Sequence, residues 1–153
     1  MEECNPCSVP MEAQLKLSRS GAGNLVDATH YRSIVGGLSY VVHTRPDISY
    51  AVGYVSRFME APTSEHLAAV KHLLWYVAVT LSYDIVYGRG RGAPNLLGFS
   101  DADLAGDVDD RKSTAGMIFF LGRSPVSWQS RKQRVVAASS CESEYIAAST
   151  TVC

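Results

Sequence analysis

The sequence predicts an α+β fold in which a helical first part precedes a small antiparallel sheet and a final helix. Two observations carry this prediction. Between residues 28 and 80, apolar residues recur at three- and four-residue spacing, which is the period of helices that bury one side. From residue 95 onwards, short runs of alternating apolar and polar residues, separated by turn residues, indicate three strands, and a capped helical stretch follows them.

The composition is that of an ordinary globular chain. Of the 153 residues, 46% are hydrophobic and 19% are charged, and the formal net charge is −1. A chain without an overall basic field can bind nucleic acid only through local patches. No apolar run approaches ~20 residues and the N-terminus lacks an apolar signal core, so we expect an intracellular protein with no membrane partner.

Residues 1–27 are the least regular stretch. They hold prolines and glycines among short polar runs without periodicity, so we expect an extended, poorly packed linker. Cys4 and Cys7 form a single C-x-x-C motif, which is weak evidence for zinc because no second ligand pair accompanies it. Free thiols in a reducing compartment are the preferred interpretation of the four cysteines.

Three helices are predicted in the region that follows. Asp27 can cap the first, which runs to about Val42. Pro46 suits the first turn of the second, which runs to about Met59, and Thr63 begins the third. The scattered histidines have no acidic partner at ligand spacing, and we interpret all of them as structural or surface residues: His30, His43, His66 and His72.

After the third helix, the run SYDIVY at residues 82–87 predicts a strand. The GRGRG stretch that follows predicts a turn. It is no phosphate-binding loop, because it lacks the Lys-Ser/Thr pair and the helix that such a loop requires.

The first strand of the predicted sheet ends in a carboxylate. In LLGFSDAD, Leu97, Phe99 and Asp101 lie on one side of the strand by period-two alternation. A carboxylate at the end of an apolar face needs a partner or a metal ion. The alternative is a turn-forming aspartate, which spacing alone favours, and Asp103 is a weaker candidate of the same parity.

Two glutamates in the final helix must be distinguished. Ser139 and Glu142 fit a capping box, with Ser139 as the cap and Glu142 at the third helical position. At ~100° per residue, Glu144 points about 200° away from Glu142, so the two cannot face one metal ion. Glu144 is therefore the better ligand candidate, and a solvated helix residue is the alternative.

A basic cluster follows the third strand: Arg131, Lys132 and Arg134. Such a cluster can neutralise nucleic-acid phosphates without reading sequence. A charged, solvated loop explains it equally well.

The motifs SDADLAGD and SSCESEYIA, in that order, resemble the RNase H domain of copia-type LTR retrotransposon Pol polyproteins. The stretch YRSIVGGLSYVVHTRPDISYAVGYVSRFM, followed by HLAAVKHLLWYV, resembles the segment that connects polymerase and RNase H in the same family. The resemblance is specific and covers nearly the whole chain. Two departures remove basic residues: Trp75 stands where the family has Arg, and Ala78-Val79 where it has Lys-Gly.

The resemblance implies three parts: a linker at 1–27, a helical connection segment with one strand at 28–92, and the N-terminal part of a truncated RNase H-like domain at 93–153. It implies two Mg²⁺ ions that support cleavage of RNA in RNA–DNA hybrids, with Asp101 and Glu144 as catalytic metal ligands. The expected partners are the hybrid and the remainder of the Pol polyprotein.

Because the family uses about four such ligands, we expect this chain alone to be inactive. The alternative is a domesticated, non-enzymatic binding or interaction protein, including one labelled as an effector, or a relic without function.

Overall fold

The computed structural model describes residues 7–21, 23–88 and 95–152. The chain divides into two compact units, residues 1–84 and 85–153. The first is helical and the second combines a sheet with a helix, so the predicted α+β class is confirmed. Cys4, most of the GRGRG turn and the predicted boundary after residue 92 lie outside the described residues.

The first unit is built from helices and short 3₁₀ segments: α1 (Ala28–Val41), a 3₁₀ segment (Pro46–Ile48), α2 (Ser49–Val55), a second 3₁₀ segment (Ser56–Phe58) and α3 (Ser64–Val79). Asp27 caps α1, and its carboxylate accepts a hydrogen bond from the Thr29 backbone N–H at 2.8 Å. Pro46 begins the second helical stretch as predicted, although this stretch alternates between 3₁₀ and α geometry. The helices enclose a core that includes Tyr31, Val35, Ile48, Val55, Val70 and Leu73.

The predicted strand at residues 82–87 is wrong. Residues 83–88 form neither helix nor strand. The buried Arg45 guanidinium donates to the Thr80 carbonyl at 2.9 Å and to its hydroxyl at 2.7 Å, and it lies 5.5 Å from the centre of the Tyr83 ring. The chain after α3 is thus held by side-chain contacts to Arg45 rather than by a β-ladder.

The expectation of a poorly packed linker is also wrong for the described part of residues 7–27. Leu17 is only 5% exposed, and its backbone N–H donates to the Tyr54 hydroxyl at 3.1 Å. Asn24 and Leu25 are bonded to the start of α3, because the Asn24 carbonyl accepts from Ser64 at 2.8 Å and Leu25 forms a β-bridge with Thr63. The segment is extended, as predicted, but its apolar side chains complete the helical core.

The second unit is an antiparallel meander followed by a helix: β1 (Leu96–Ala102), β2 (Thr114–Leu121), β3 (Ser124–Lys132) and α4 (Ser140–Val152). Gly122, with a φ of 65°, occupies the left-handed region in the turn between β2 and β3, where glycine is favoured. These bounds agree with the predicted sheet and with the predicted helix from about Ser140.

The two faces of the sheet have different surroundings. Ala115 and Met117 line a cavity of about 350 Å³ together with Ile146 and Thr150 of α4, so α4 covers their face. Paired residues of adjacent strands share a face, and alternation places Phe99 and its partner Ile118 on the other one. Phe99 is 58% exposed there.

Among the helices in the described ranges, none has both the length and the apolar character that crossing a membrane requires.

Candidate functional site

Asp101 lies one residue before the end of β1. It pairs with Gly116, which pairs with Ser130, so its side chain begins on the face that α4 does not cover. The side chain is exposed. Its carboxylate has no hydrogen-bond or ion-pair partner among the residues that the structure describes, which leaves both oxygens available to a ligand.

The start of α4 distinguishes the two glutamates as predicted. The Ser139 hydroxyl accepts from the Glu142 backbone N–H at 3.2 Å, and the Glu142 carboxylate accepts from the Ala138 backbone N–H at 2.7 Å. Glu142 therefore caps the helix. Glu144 is exposed, and its carboxylate has no partner within the described ranges.

Gln133 ties α4 to the sheet. Its side-chain amide donates to the Ser143 carbonyl at 2.9 Å, and its backbone N–H donates to the Ser113 carbonyl at 2.8 Å. All three residues are buried. Ser113 directly precedes β2, whose first residues pair with the end of β1, so Asp101 and Glu144 lie at the same end of the sheet.

Sequence reasoning missed Gln133 and Ser113. Gln133 stands within a basic run and Ser113 within a polar loop, where neither pattern indicates burial. Their role depends on partners that the sequence does not identify.

Asp103, the weaker ligand candidate, has a structural role. One of its carboxylate oxygens accepts from the Thr114 backbone N–H at 2.6 Å, and its backbone N–H donates to the Thr114 carbonyl at 3.2 Å. A Cβ at Gly106 would collide with the same carboxylate, so the loop after β1 closes tightly around it. These contacts fix the position of the carboxylate in the loop.

Lys132, one of the residues predicted to contact nucleic acid, forms two ion pairs within the chain. Its ammonium lies 2.6 Å from Asp107 and 2.8 Å from Asp110. Burial acts to raise the pKa of the Asp107 carboxyl, but the hydrogen bonds from Lys132 and from the backbone N–H groups of Asp109 and Asp110 outweigh it and lower the pKa to about 2. Lys132 thus holds the loop between β1 and β2.

Arg131 and Arg134 remain available. Both are exposed, and neither guanidinium has a partner among the described residues. Both line the cavity beside α4, and Arg131 pairs with Ala115, so it begins on the face opposite Asp101. The predicted basic cluster is therefore divided: Arg131 and Arg134 lie beside α4, and Lys132 begins on the other face of the sheet.

Within the described ranges, no three side chains of His, Cys, Asp or Glu come close enough together to hold a metal ion. Asp101 and Glu144 lie at one end of the sheet as two available carboxylates, without a third ligand from these ranges.

Comparison with known proteins gives long matches. The chain is 48% identical over 145 residues to the "Retrovirus-related Pol polyprotein from transposon RE1" of Arabidopsis thaliana, a match that covers 95% of this chain and 10% of that protein. It is 44% identical over 158 residues to the corresponding polyprotein from transposon TNT 1-94 of Nicotiana tabacum, covering 99% and 12%. The chain thus spans about a tenth of the length of these relatives.

A much shorter protein is also similar. "Secreted RxLR effector protein 161" of Plasmopara viticola is 48% identical over 120 residues, covering 78% of this chain and 84% of the effector. No protein-family model matches the chain, and no solved structure matches it.

Proposed function

Because the chain belongs to the copia-type retrotransposon Pol polyprotein family, we propose that it supplies the first part of an RNase H domain that cleaves the RNA strand of RNA–DNA hybrids. One observation carries the proposal: two exposed carboxylates without partners, Asp101 and Glu144, come from separate elements and lie at the same end of one sheet.

The donor set fits Mg²⁺, which prefers oxygen ligands and keeps several waters. Asp101 and Glu144 would hold it, with further ligands from other parts of the polyprotein. When bound, the two metal ions of such a site stabilise the attacking water and the leaving oxygen.

The chain's own residues provide positioning. Asp101 is fixed by its pairing with Gly116 in the sheet. Glu144 is fixed by the helix cap at Ser139 and by the buried hydrogen bonds of Gln133. A metal site needs this rigidity. Substituting residues that orient metal ligands typically lowers metal affinity or activity by about 10- to 100-fold.

We assign the nucleic-acid contacts of this segment to Arg131 and Arg134, since the Lys132 ammonium is held by Asp107 and Asp110. Arginines that contact phosphates release counterions on binding. In a plot of the logarithm of hybrid affinity against the logarithm of salt concentration, removing each arginine contact should reduce the steepness of the slope by about one unit.

The test uses a chimera in which residues 1–152 continue into the segment that follows the matched region in the RE1 polyprotein. We expect this chimera to cleave a labelled RNA–DNA duplex in Mg²⁺, and residues 1–153 alone to leave it intact. Asp101→Asn and Glu144→Gln should each lower the cleavage rate on the order of 100-fold or more. Glu142→Gln is the matched control, because glutamine also serves in a capping box, and it should retain cleavage.

Two outcomes would contradict the proposal. Loss of cleavage in Glu142→Gln with retention in Glu144→Gln would overturn the choice of ligand. Cleavage by residues 1–153 alone that is abolished by Asp101→Asn would show that this chain needs no further ligands.

A second candidate, a non-enzymatic interaction protein, rests on the match that spans most of the protein named as a secreted effector. Under this alternative, binding to a protein partner would survive Asp101→Asn and Glu144→Gln together. An inactive chimera combined with such binding would favour it.

A further inference from the structure

Two histidines on α3 hold the segment of residues 7–21, which we name the docking segment. His66 Nε2 lies 3.1 Å from the Ser18 carbonyl oxygen, and His72 Nε2 lies 3.0 Å from the Val9 carbonyl oxygen. A carbonyl oxygen only accepts hydrogen bonds, so each Nε2 carries the proton and donates it. Both contacts join α3 to the docking segment.

The second ring nitrogen distinguishes the two histidines. His66 Nδ1 accepts a hydrogen bond from the Thr63 backbone N–H at 2.9 Å, as the third residue of a capping box at the start of α3. This nitrogen therefore carries no proton, and the ring is neutral. His72 Nδ1 lies 3.7 Å from the Cys7 sulfur, a weak partner.

A protonated ring at either position still donates from Nε2 to its carbonyl, so the two histidines differ in the cost of carrying the charge. A protonated His66 loses the hydrogen bond from the Thr63 backbone N–H, and its Nδ1 can donate only to the Thr63 hydroxyl oxygen, 3.2 Å away. It also buries a positive charge, since the residue is 0% exposed and its ring is stacked on Phe58 at 4.0 Å. His66 is thus the proton-sensitive contact of the pair.

We propose that His66 acts as a proton-sensitive latch: its neutral form holds the docking segment on α3, and its protonation releases that segment. The charged residues next in sequence to the ring and to its partners are Arg19 beside Ser18, Arg57 beside Phe58, and Glu65 before His66. The docking segment also carries Glu12 and Lys16, and α3 also carries Lys71.

The size of the effect follows from the titration of histidine. An ordinary histidine titrates near pH 6.5, and a docked state that excludes the proton loses its advantage as the pH falls below that value. The equilibrium constant for release of the docking segment should therefore rise roughly 10-fold between pH 7.5 and pH 5.5.

The experiment measures hydrogen exchange of peptides from the docking segment of the whole chain at both pH values, corrected for intrinsic exchange rates. Wild type should lose roughly 10-fold in protection at pH 5.5. His66→Gln keeps an acceptor for the Thr63 N–H but does not titrate, so its protection should be the same at both pH values. His72→Gln should lower protection relative to wild type, and by the same factor at both pH values.

Equal protection of the wild type at pH 7.5 and 5.5 would overturn the latch. So would nitrogen-resolved NMR that places the proton of His66 on Nδ1 at pH 7.5. These two measurements use the unmodified protein, and they decide the matter even if the glutamine variant fails to hold the segment.

Discussion

Asp107 is the residue whose replacement tests the structure of the second unit most directly. One of its carboxylate oxygens accepts from the backbone N–H groups of Asp109 and Asp110 at 3.0 and 3.3 Å, and the other binds Lys132 at 2.6 Å. In Asp107→Asn, the amide oxygen can keep both backbone bonds, while the amide N–H₂ faces the Lys132 ammonium. The variant thus removes the ion pair and places an amide donor against the ammonium.

The magnitude follows from the pKa of Asp107. Its fall from 3.8 to about 2 corresponds to about 2.4 kcal/mol at neutral pH. Asp107→Asn keeps the two backbone hydrogen bonds that contribute to this shift, and the Lys132 side chain is 21% exposed to screening by solvent. The expected loss is therefore smaller, about 1–2 kcal/mol. The folded-state pKa is depressed, so this stabilisation is complete above about pH 4 and is lost as the pH falls through about 2, with about half remaining at pH 3.

The assay is urea denaturation followed by fluorescence in a Trp75→Phe background, where Trp128 is the single tryptophan. Asp101→Asn is the matched control, since that carboxylate is exposed without a partner among the described residues, and it should change the free energy of unfolding by less than about 0.5 kcal/mol. A loss in Asp107→Asn no larger than in this control would refute the reasoning. So would a difference from wild type that is the same at pH 3 and pH 7.

Two further substitutions test contacts elsewhere. Arg45→Lys cannot reproduce the paired bonds to Asp47 together with those to Thr80. Urea denaturation should show that the free energy of unfolding falls by about 1–3 kcal/mol. A fall below about 0.5 kcal/mol would contradict the role of the buried guanidinium. Ser139→Ala removes the acceptor for the Glu142 N–H and should cost about 1 kcal/mol in thermal unfolding followed by circular dichroism, and an unchanged melting temperature would contradict the cap.

Local chemistry accounts for what the sequence predicted well. The caps at Asp27 and Ser139 depend on side chains that bond their own neighbouring backbone, so they are visible within four residues. The separation of Glu142 from Glu144 follows from the rotation per residue of a helix. Strand alternation likewise predicted that Asp101 lies on the same side of β1 as Phe99, and the strand ends one residue after it.

Contacts between distant positions account for the rest. The predicted strand at 82–87 does not form, and Arg45, 35 positions before Thr80, contacts both Thr80 and Tyr83. Lys132 lies 25 positions from Asp107, so its carboxylate partner could not be inferred from the basic run in which it stands. Leu17 is buried in the core of the helices, and its backbone bonds Tyr54, 37 positions away, so no local pattern could indicate its burial.

The contact between Arg45 and Thr80 also has a consequence for how the first unit folds. It joins positions 35 residues apart, and closing a loop of that length costs about 3 kcal/mol of chain entropy in addition to a constant term. Neither α2 nor α3 recovers that cost alone, because the guanidinium is bonded on one side to Asp47, just before α2, and on the other to the end of α3. The contact therefore forms only when Asp47 and the end of α3 have both reached their native positions.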